Sequence, residues 1–337
     1  IKTWVTASGI VKIKKHFFLL NLIMEYFVTT FQGAEDIVER ELNVKAKKYK
    51  GLLTFDTKPN EDLKSVIRAG IFLKYFEFKD LKDYKKQIKD IKFPKIKEPF
   101  AILCERFGNH KFSSKDIEIL TAEKIKAKVD LINPETLIYV LIRNNTCLIG
   151  IDLFKKRLDK RDYRIKPHPN ILNSALAFIA LKFSDYKPNK KLLDPFCGSG
   201  IIPIEAALIG SKQVFAADNQ YYCIEATRIN SKVADIGIKA SQTQIKDLDK
   251  KFKKSSFDFI ITDPPIATIY GLKAVEPLYS LFFKKAFFLL KKNATLTIIT
   301  TRPDPFLYPL SNFKLIKQLI LDKNNLKYHI LVFKKLI

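Results

Sequence analysis

Apolar residues recur along this chain in two alternating rhythms, at every second position over short runs and at every third or fourth over longer ones. The first rhythm marks strands with one buried face and the second marks helices with one buried stripe. From residue 24 to 80 they predict strand, helix, strand, helix, strand: Tyr26–Thr30, Ala34–Leu42, Leu52–Phe55, Leu63–Ala69 and Leu73–Phe78. In the first helix Ile37, Val38 and Leu42 share a face, and in the second Val66 and Ile67 do. Such alternation predicts a small α+β unit of ferredoxin-like type. A second unit follows, with a strand at Phe100–Arg106 and a helix over Lys115–Lys128 that Ser113 and Ser114 are placed to cap. Two more strands, Leu137–Ile142 and Cys147–Ile151, are joined by a turn at Arg143–Thr146. After a helix at Ile171–Lys182 the rhythm changes to strand–helix repeats, which predict an α/β unit with a largely parallel sheet. Its expected helices are Ile201–Leu208, Tyr221–Asn230 and Leu278–Leu290. Its expected strands are Leu192–Leu193, Gln213–Ala217, Phe257–Thr262, Thr295–Thr300 and Tyr328–Phe333.

Two of these strands deliver chemistry at their carboxyl ends. Leu192-Leu193 runs into Asp194-Pro195-Phe196-Cys197-Gly198-Ser199-Gly200, where two glycines let backbone amides approach a ligand without a Cβ in the way. No Gly-Lys-Ser/Thr follows, so the turn is not a phosphate cradle, and it lacks the three-glycine dinucleotide spacing. Asp218 ends the next strand, with Asn219 beside it. An acid there is placed to accept hydrogen bonds from two ribose hydroxyls, or alternatively caps the helix at Tyr221. The strand Phe257–Thr262 ends in Asp263-Pro264-Pro265. In an open α/β sheet ligands lie outside the carboxyl ends of the strands, so both signals fall on one edge.

Together these segments resemble the class I S-adenosylmethionine-dependent methyltransferases that modify exocyclic amines, whose hallmark is [D/N]-P-P-[Y/F/W]. The resemblance implies that Asp263 and the carbonyl of Pro264, in a turn stiffened by Pro265, orient the amine. It implies that S-adenosyl-L-methionine is held by Asp194, Pro195, Phe196, Gly198, Gly200, Asp218 and Asn219. The aromatic position after the second proline is Ile266 here, with Tyr270 four residues late and Phe306 a further possible substitute. The family's G-D-A-x-D-L segment maps on Gln244-Ile245-Lys246-Asp247-Leu248, which makes Gln244 and Asp247 the candidate acceptors for an adenine amine. Asp247 reads equally as an exposed loop acid.

The front half carries its own resemblance. Phe107-Gly108-Asn109-His110-Lys111-Phe112-Ser113-Ser114 and Val129-Asp130-Leu131-Ile132-Asn133-Pro134 resemble segments of the THUMP domain, an RNA-binding module. Leu158-Asp159-Lys160-Arg161-Asp162-Tyr163-Arg164 is similar to the bridge that joins it to the catalytic unit. The whole resembles THUMP-containing RNA guanine-N2 methyltransferases. The implied fold is a Rossmann-like catalytic domain over 185–337, preceded by a ferredoxin-like domain (24–85), a THUMP domain (86–155) and a linker with a bridging helix (156–184). The implied activity is N2-methylation of a guanosine in tRNA, with guanine 6 favoured. Guanine 10, an rRNA guanosine, an adenine-N6 DNA methyltransferase, or a non-catalytic RNA binder with a vestigial fold are the alternatives. Lys160, Arg161 and Arg164 read as phosphate contacts or as a solvated linker face, and His110 and Lys111 as RNA contacts or locally bonded residues. His168 reads as a cofactor-pocket residue or as a turn residue.

Composition changes this picture in two respects. Lys plus Arg outnumber Asp plus Glu by 60 to 35, a net charge of +25, which makes a polyanion the natural partner. Only nine of the cations are arginine, so a lysine-rich composition bias is the competing explanation. Cys104, Cys147, Cys197 and Cys223 show no metal-ligand spacing, so no metal is expected and a reducing cytoplasm fits. No apolar run is long enough to span a membrane. The one methionine, Met24, directly precedes the first strand, so residues 1–23 are expected to be an upstream extension without a fold role. A monomer is expected.

Overall fold

The computed structural model describes residues 24–166, 172–266, 275–307, 312–323 and 326–336. They build two seven-stranded sheets. The front sheet has the order β2-β3-β1-β4-β7-β6-β5, from β1 (Tyr26–Thr29), β2 (Lys47–Tyr49), β3 (Leu52–Phe55), β4 (Arg68–Glu77), β5 (Phe100–Phe107), β6 (Thr136–Arg143) and β7 (Thr146–Asp152). The two front units expected from the sequence thus share one sheet. The strand β4 makes this possible: it pairs with β1 through Arg68–Ile71 and with β7 through Gly70–Glu77. Both ladders need Gly70, because a Cβ there would stand 2.4 Å from the Phe27 ring.

One expected helix is absent. Residues 63–67 form no helix, because their backbone groups are committed elsewhere. The Glu41 carboxylate accepts from the amides of Lys64 and Ser65 at 2.7 and 2.9 Å, and Thr30 Oγ1 donates to the Ser65 carbonyl at 2.8 Å. The Ile67 amide donates to the Thr29 carbonyl, which starts β4. The expected helix over Lys115–Lys128 is real but shorter, Ser114–Ala122, with Ser113 and Asp116 forming a capping box. Beyond it residues 128–130 run beside β5, exchanging backbone hydrogen bonds with Phe100. The helix Leu81–Gln87 and the strands β2 and β13 (Phe313–Lys323) were not anticipated. They bury few apolar side chains and leave little periodicity to read.

The back sheet has the order β10-β9-β8-β11-β12-β14-β13, from β8 (Leu192–Asp194), β9 (Val214–Asp218), β10 (Lys239–Gln242), β11 (Phe257–Thr262), β12 (Leu290–Thr300), β13 and β14 (Leu326–Lys335). The first five are parallel, and β14 runs antiparallel to β12 and β13. Strand order reverses between β8 and β11, and a crevice at the carboxyl ends is the consequence. The helix Ser174–Phe183 is apolar on every side and buried from Ser174 to Leu181. It lies in one core with Phe31, Ile37 and Ile67 of the front half and Leu192, Ile261 and Ile330 of the back sheet, and so joins the two halves. A two-way backbone bridge between Gln32 and Asp322 adds a second joint.

Candidate active site

The crevice at the switch point is a cavity of about 560 Å³ lined by residues from the ends of β8, β9, β11 and β14. Strand register creates it: Leu193 pairs with Ile260, which sets Asp194 and Asp263 on neighbouring strand ends. Asp194, Phe196, Gly198, Asp218, Asn219, Asp263, Pro264, Pro265 and Ile266 all line this space.

The glycine turn is held from behind. Gly198 and Gly200 have φ of +48° and +86°, a region that L side chains rarely adopt. A Cβ at Gly200 would lie 2.8 Å from Thr227 Cγ2, whereas at Gly198 nothing lies within 4 Å, so that backbone faces open space. From the helix Tyr221–Val233, Thr227 Oγ1 donates to the Gly198 carbonyl and Asn230 Nδ2 to the Ser199 carbonyl, at 3.0 and 3.1 Å. Asp218 accepts from the Gly198 amide through Oδ2 and from the Gln220 amide through Oδ1, both at 3.0 Å. Each carboxylate oxygen keeps lone-pair capacity for a further donor. Asp218 therefore pins the turn rather than capping the next helix, whose N-cap residue is Gln220 and has no side-chain capping bond.

The two strand-end acids are unusual. Asp194 is buried and accepts from Thr262 Oγ1 at 2.6 Å and from the Phe196 amide at 3.1 Å. Burial nevertheless raises its carboxyl to about 8, with Asp263 and Asp218 adding to the shift. Burial likewise raises Asp263 to about 7. Titratable groups poised near neutrality in a cleft are a mark of a reaction site. The turn after Asp263 is held by Tyr279, whose hydroxyl donates to the Pro265 carbonyl at 2.6 Å. A second cavity of about 250 Å³ adjoins Phe196, Asn219 and Pro265 and is lined also by Thr243, Gln244 and Ile245.

Other expected site residues fall elsewhere. Asp247 lines neither cavity and is paired with Lys250 at 2.8 Å, so of the two candidate acceptors Gln244 is the one beside the crevice. Phe306 is buried against Tyr279 and Phe283 and is no wall of the cavity. His168 and Tyr270 lie outside the described residues. Arg161 requires a correction: it is not free to contact phosphate. Its guanidinium is 8% exposed and binds Glu205, itself 0% exposed, at 2.9 Å, and it also donates to the carbonyls of Lys64 and Leu158. Tyr163 Oη donates to the same carboxylate at 2.9 Å. This cluster ties the linker to the helix Ile201–Leu208 behind the glycine turn. Lys160 is exposed and Arg164 half-buried. His110 is bonded locally, to Arg106 and to the Asn144 carbonyl, while Lys111 is exposed. We expect Arg161→Ala to cost about 3–5 kcal/mol by stranding a buried carboxylate. Lys160→Ala should leave stability unchanged, and thermal melting of the two variants checks the contrast.

Thr262, Thr227, Asn230, Tyr279 and Tyr328 were not anticipated from sequence. Thr262 had a signal, a hydroxyl in an otherwise apolar strand end beside an acid. Tyr328 had none, because only the strand order brings β14 to this crevice.

Comparison with known proteins adds to this geometry. Residues 161–319 match the RMKL-like methyltransferase domain, and residues 75–152 match the THUMP domain. The chain thus carries a THUMP domain followed by an RMKL-like methyltransferase domain. The THUMP match begins inside β4, the strand that the two front units share. Among relatives of this methyltransferase, the tRNA (guanine(6)-N2)-methyltransferase of Archaeoglobus fulgidus is 27% identical over 83% of the chain and 84% of its own length. The tRNA (guanine(10)-N2)-dimethyltransferase of Methanothermobacter thermautotrophicus is 30% identical over 58% of each chain. TrmN from Thermus thermophilus has a similar fold, with a TM-score of 0.75 at 22% identity over 93% of this chain and all of its own.

Proposed function

We propose that the protein methylates the N2 amine of a guanosine in tRNA, using S-adenosyl-L-methionine and acting as a cytoplasmic monomer. The observation that carries the reading is the meeting of Asp194, the Gly198–Gly200 turn, Asp218 and Asp263 in one cavity at the switch point. These residues fit the donor. Gly198 faces open space where a Cβ would intrude, Asp218 retains acceptor capacity for ribose hydroxyls, and Asp194 is a buried acid suited to an ammonium group. Gln244 borders the adjoining space and is suited to an adenine amine. When bound, S-adenosyl-L-methionine supplies an electrophilic methyl group.

The protein's own part is orientation and proton handling. A guanine amine is a weak nucleophile because its lone pair is delocalised into the ring. Asp263 and the Pro264 carbonyl, accepting from its two hydrogens, aim the lone pair out of the ring plane, and alignment of this kind is worth several kcal/mol. Asp263 then takes the proton that the alkylated amine must lose. The Pro265 carbonyl is engaged by Tyr279, which leaves Pro264 as the second acceptor. Four free, buried cysteines fit a reducing compartment.

Coverage supports guanine 6, since the Archaeoglobus relative is matched over 84% of its length and the guanine-10 relative over 58%. The purified chain should transfer tritiated methyl to unmodified tRNA and yield N2-methylguanosine. Label should vanish when guanine 6 is replaced and persist when guanine 10 is. RNA bound on a gel with no label transferred would leave a binding protein, and N6-methyladenosine would leave a different amine.

A further inference from the structure

The Asp-Pro-Pro turn of this chain ends in Ile266, an aliphatic side chain where a target base needs a flat partner. An extruded purine is ordinarily held by stacking on an aromatic ring. Among the described residues, two aromatic side chains line the cavity, Phe196 and Tyr328. Phe196 follows β8, packs against Phe282 at 5.3 Å, and also borders the second cavity. It belongs to the donor's side. Tyr328 stands on β14, next in the strand to His329, which pairs with Thr300 at the end of β12. It shares the cavity wall with Asp263, Ile266 and Thr301.

We infer that Tyr328 is the flat wall on which the target guanine stacks, in place of the ring missing at Ile266. The inference rests on the proposed N2-methylation and extends it to a residue that recognises the base. Three observations carry it. The ring is half-buried, so one part of its surface is available to the cavity. Its phenol is pushed up by burial and by the Asp263 carboxylate, which places it near the acid that receives the amine. It is also braced: Phe31, 1% exposed, meets it edge-to-face at 6.1 Å and 87°. A ring already fixed by packing loses little side-chain entropy when a base stacks on it. Phe31 follows β1 and is anchored by the bridge between Gln32 and Asp322. The front half of the chain thereby supports the base wall directly.

The test compares Tyr328→Leu with Tyr328→Phe and Tyr328→Trp in the full chain, on unmodified tRNA transcript with S-adenosyl-L-methionine. The Leu variant should lose about ten- to a hundredfold in kcat/KM for tRNA. Its cofactor affinity by calorimetry and tRNA retention on a gel should stay within twofold. The Phe and Trp variants, which restore a ring, should return to within about threefold of wild type. If the Leu variant does not fold, Tyr328→Met against Tyr328→Trp repeats the contrast. A Leu variant as active as wild type overturns the inference. So does a Phe variant as impaired as Leu, which would assign the role to the hydroxyl, and so does a loss seen with Tyr270→Leu instead. A wild-type chain that labels no tRNA overturns the functional reading, and the base wall with it.

Discussion

Asp263→Ala should reduce methyl transfer to tRNA by a thousandfold or more while cofactor affinity changes by less than about threefold. The expected size follows from what the side chain does. In the proposed reaction it aligns a poorly nucleophilic amine and receives its proton, and the loss of one preorganised electrostatic contact typically costs about 10²–10³ in turnover. Misalignment of the amine adds to this. The proposed donor contacts lie at the ends of β8 and β9, so donor binding should survive. Asp263→Asn keeps a carbonyl oxygen and should keep measurable turnover. Its pH profile should differ. Because burial holds the wild-type carboxyl at about 7, the acceptor form is half-populated there and is lost as pH falls. Turnover at saturating cofactor should therefore drop on the acid side of pH 7 in wild type and stay flat in Asp263→Asn. An equally steep acid limb in both would assign the titration to another group.

The second large effect concerns Asp194 and has opposite signs for binding and stability. Its carboxyl is raised from the usual 3.8 to about 8, so the folded chain without ligand holds a proton that the unfolded chain releases near pH 4. The stability this contributes is complete below the ordinary carboxylate range. It is lost as pH rises towards 8 and is gone above it. Asp194→Asn removes that dependence, and the variant without ligand should melt higher than wild type at pH 8.5 and no higher at pH 4. Cofactor binding should move the other way. A cationic group selects the ionised acid, so wild-type affinity should be roughly twentyfold weaker at pH 6 than at pH 7.5. Asp194→Asn should bind at least about 100-fold more weakly at pH 7.5, having lost a buried charge pair. Calorimetric titration at the two pH values, with melts of the protein without ligand, checks both halves. A variant that is less stable at pH 8.5 would mean that Asp194 supports the turn through Thr262 and the Phe196 amide more than burial penalises it.

The tension at Asp194 is characteristic of a site prepared for a charged ligand. An acid buried beside two other acids costs stability in the free protein and gains a partner on binding. The arrangement at Arg161 differs in kind. There the charge pair is complete within the chain, and its cost is met by the hydrogen bonds of Tyr163 and two backbone carbonyls. Both clusters touch the segment around the helix Ile201–Leu208. That helix carries the glycine turn at one end and Glu205 on its buried face, so linker packing and the proposed cofactor site share one element.

The sequence by itself determined where the strand-end acids and the glycine turn fall and the local frame that holds them. Asp194, Gly198, Gly200, Asp218 and Asp263 were legible because each sits where an apolar strand stops, and strand ends are set by patterns of a few neighbouring residues. The helix Ile201–Leu208 and the strand Phe257–Thr262 were legible as apolar runs, and the helix expected over Tyr221–Asn230, which extends to Val233, by the helical spacing of its buried residues. Only the tertiary structure decided what depends on contacts between distant segments. Residues 63–67 have the composition of a helix, but Glu41 and Thr30 capture their backbone groups. Arg161 looks like a surface cation, but Glu205, brought up from another helix, buries it. The two front units read as separate, but the length of β4 lets it pair on both sides. Tyr328 reads as one aromatic in a terminal strand, and the order β11-β12-β14 delivers it to the crevice. Periodicity records which face a residue buries, while the identity of its partner is set by strand order and helix docking, and no local pattern encodes those.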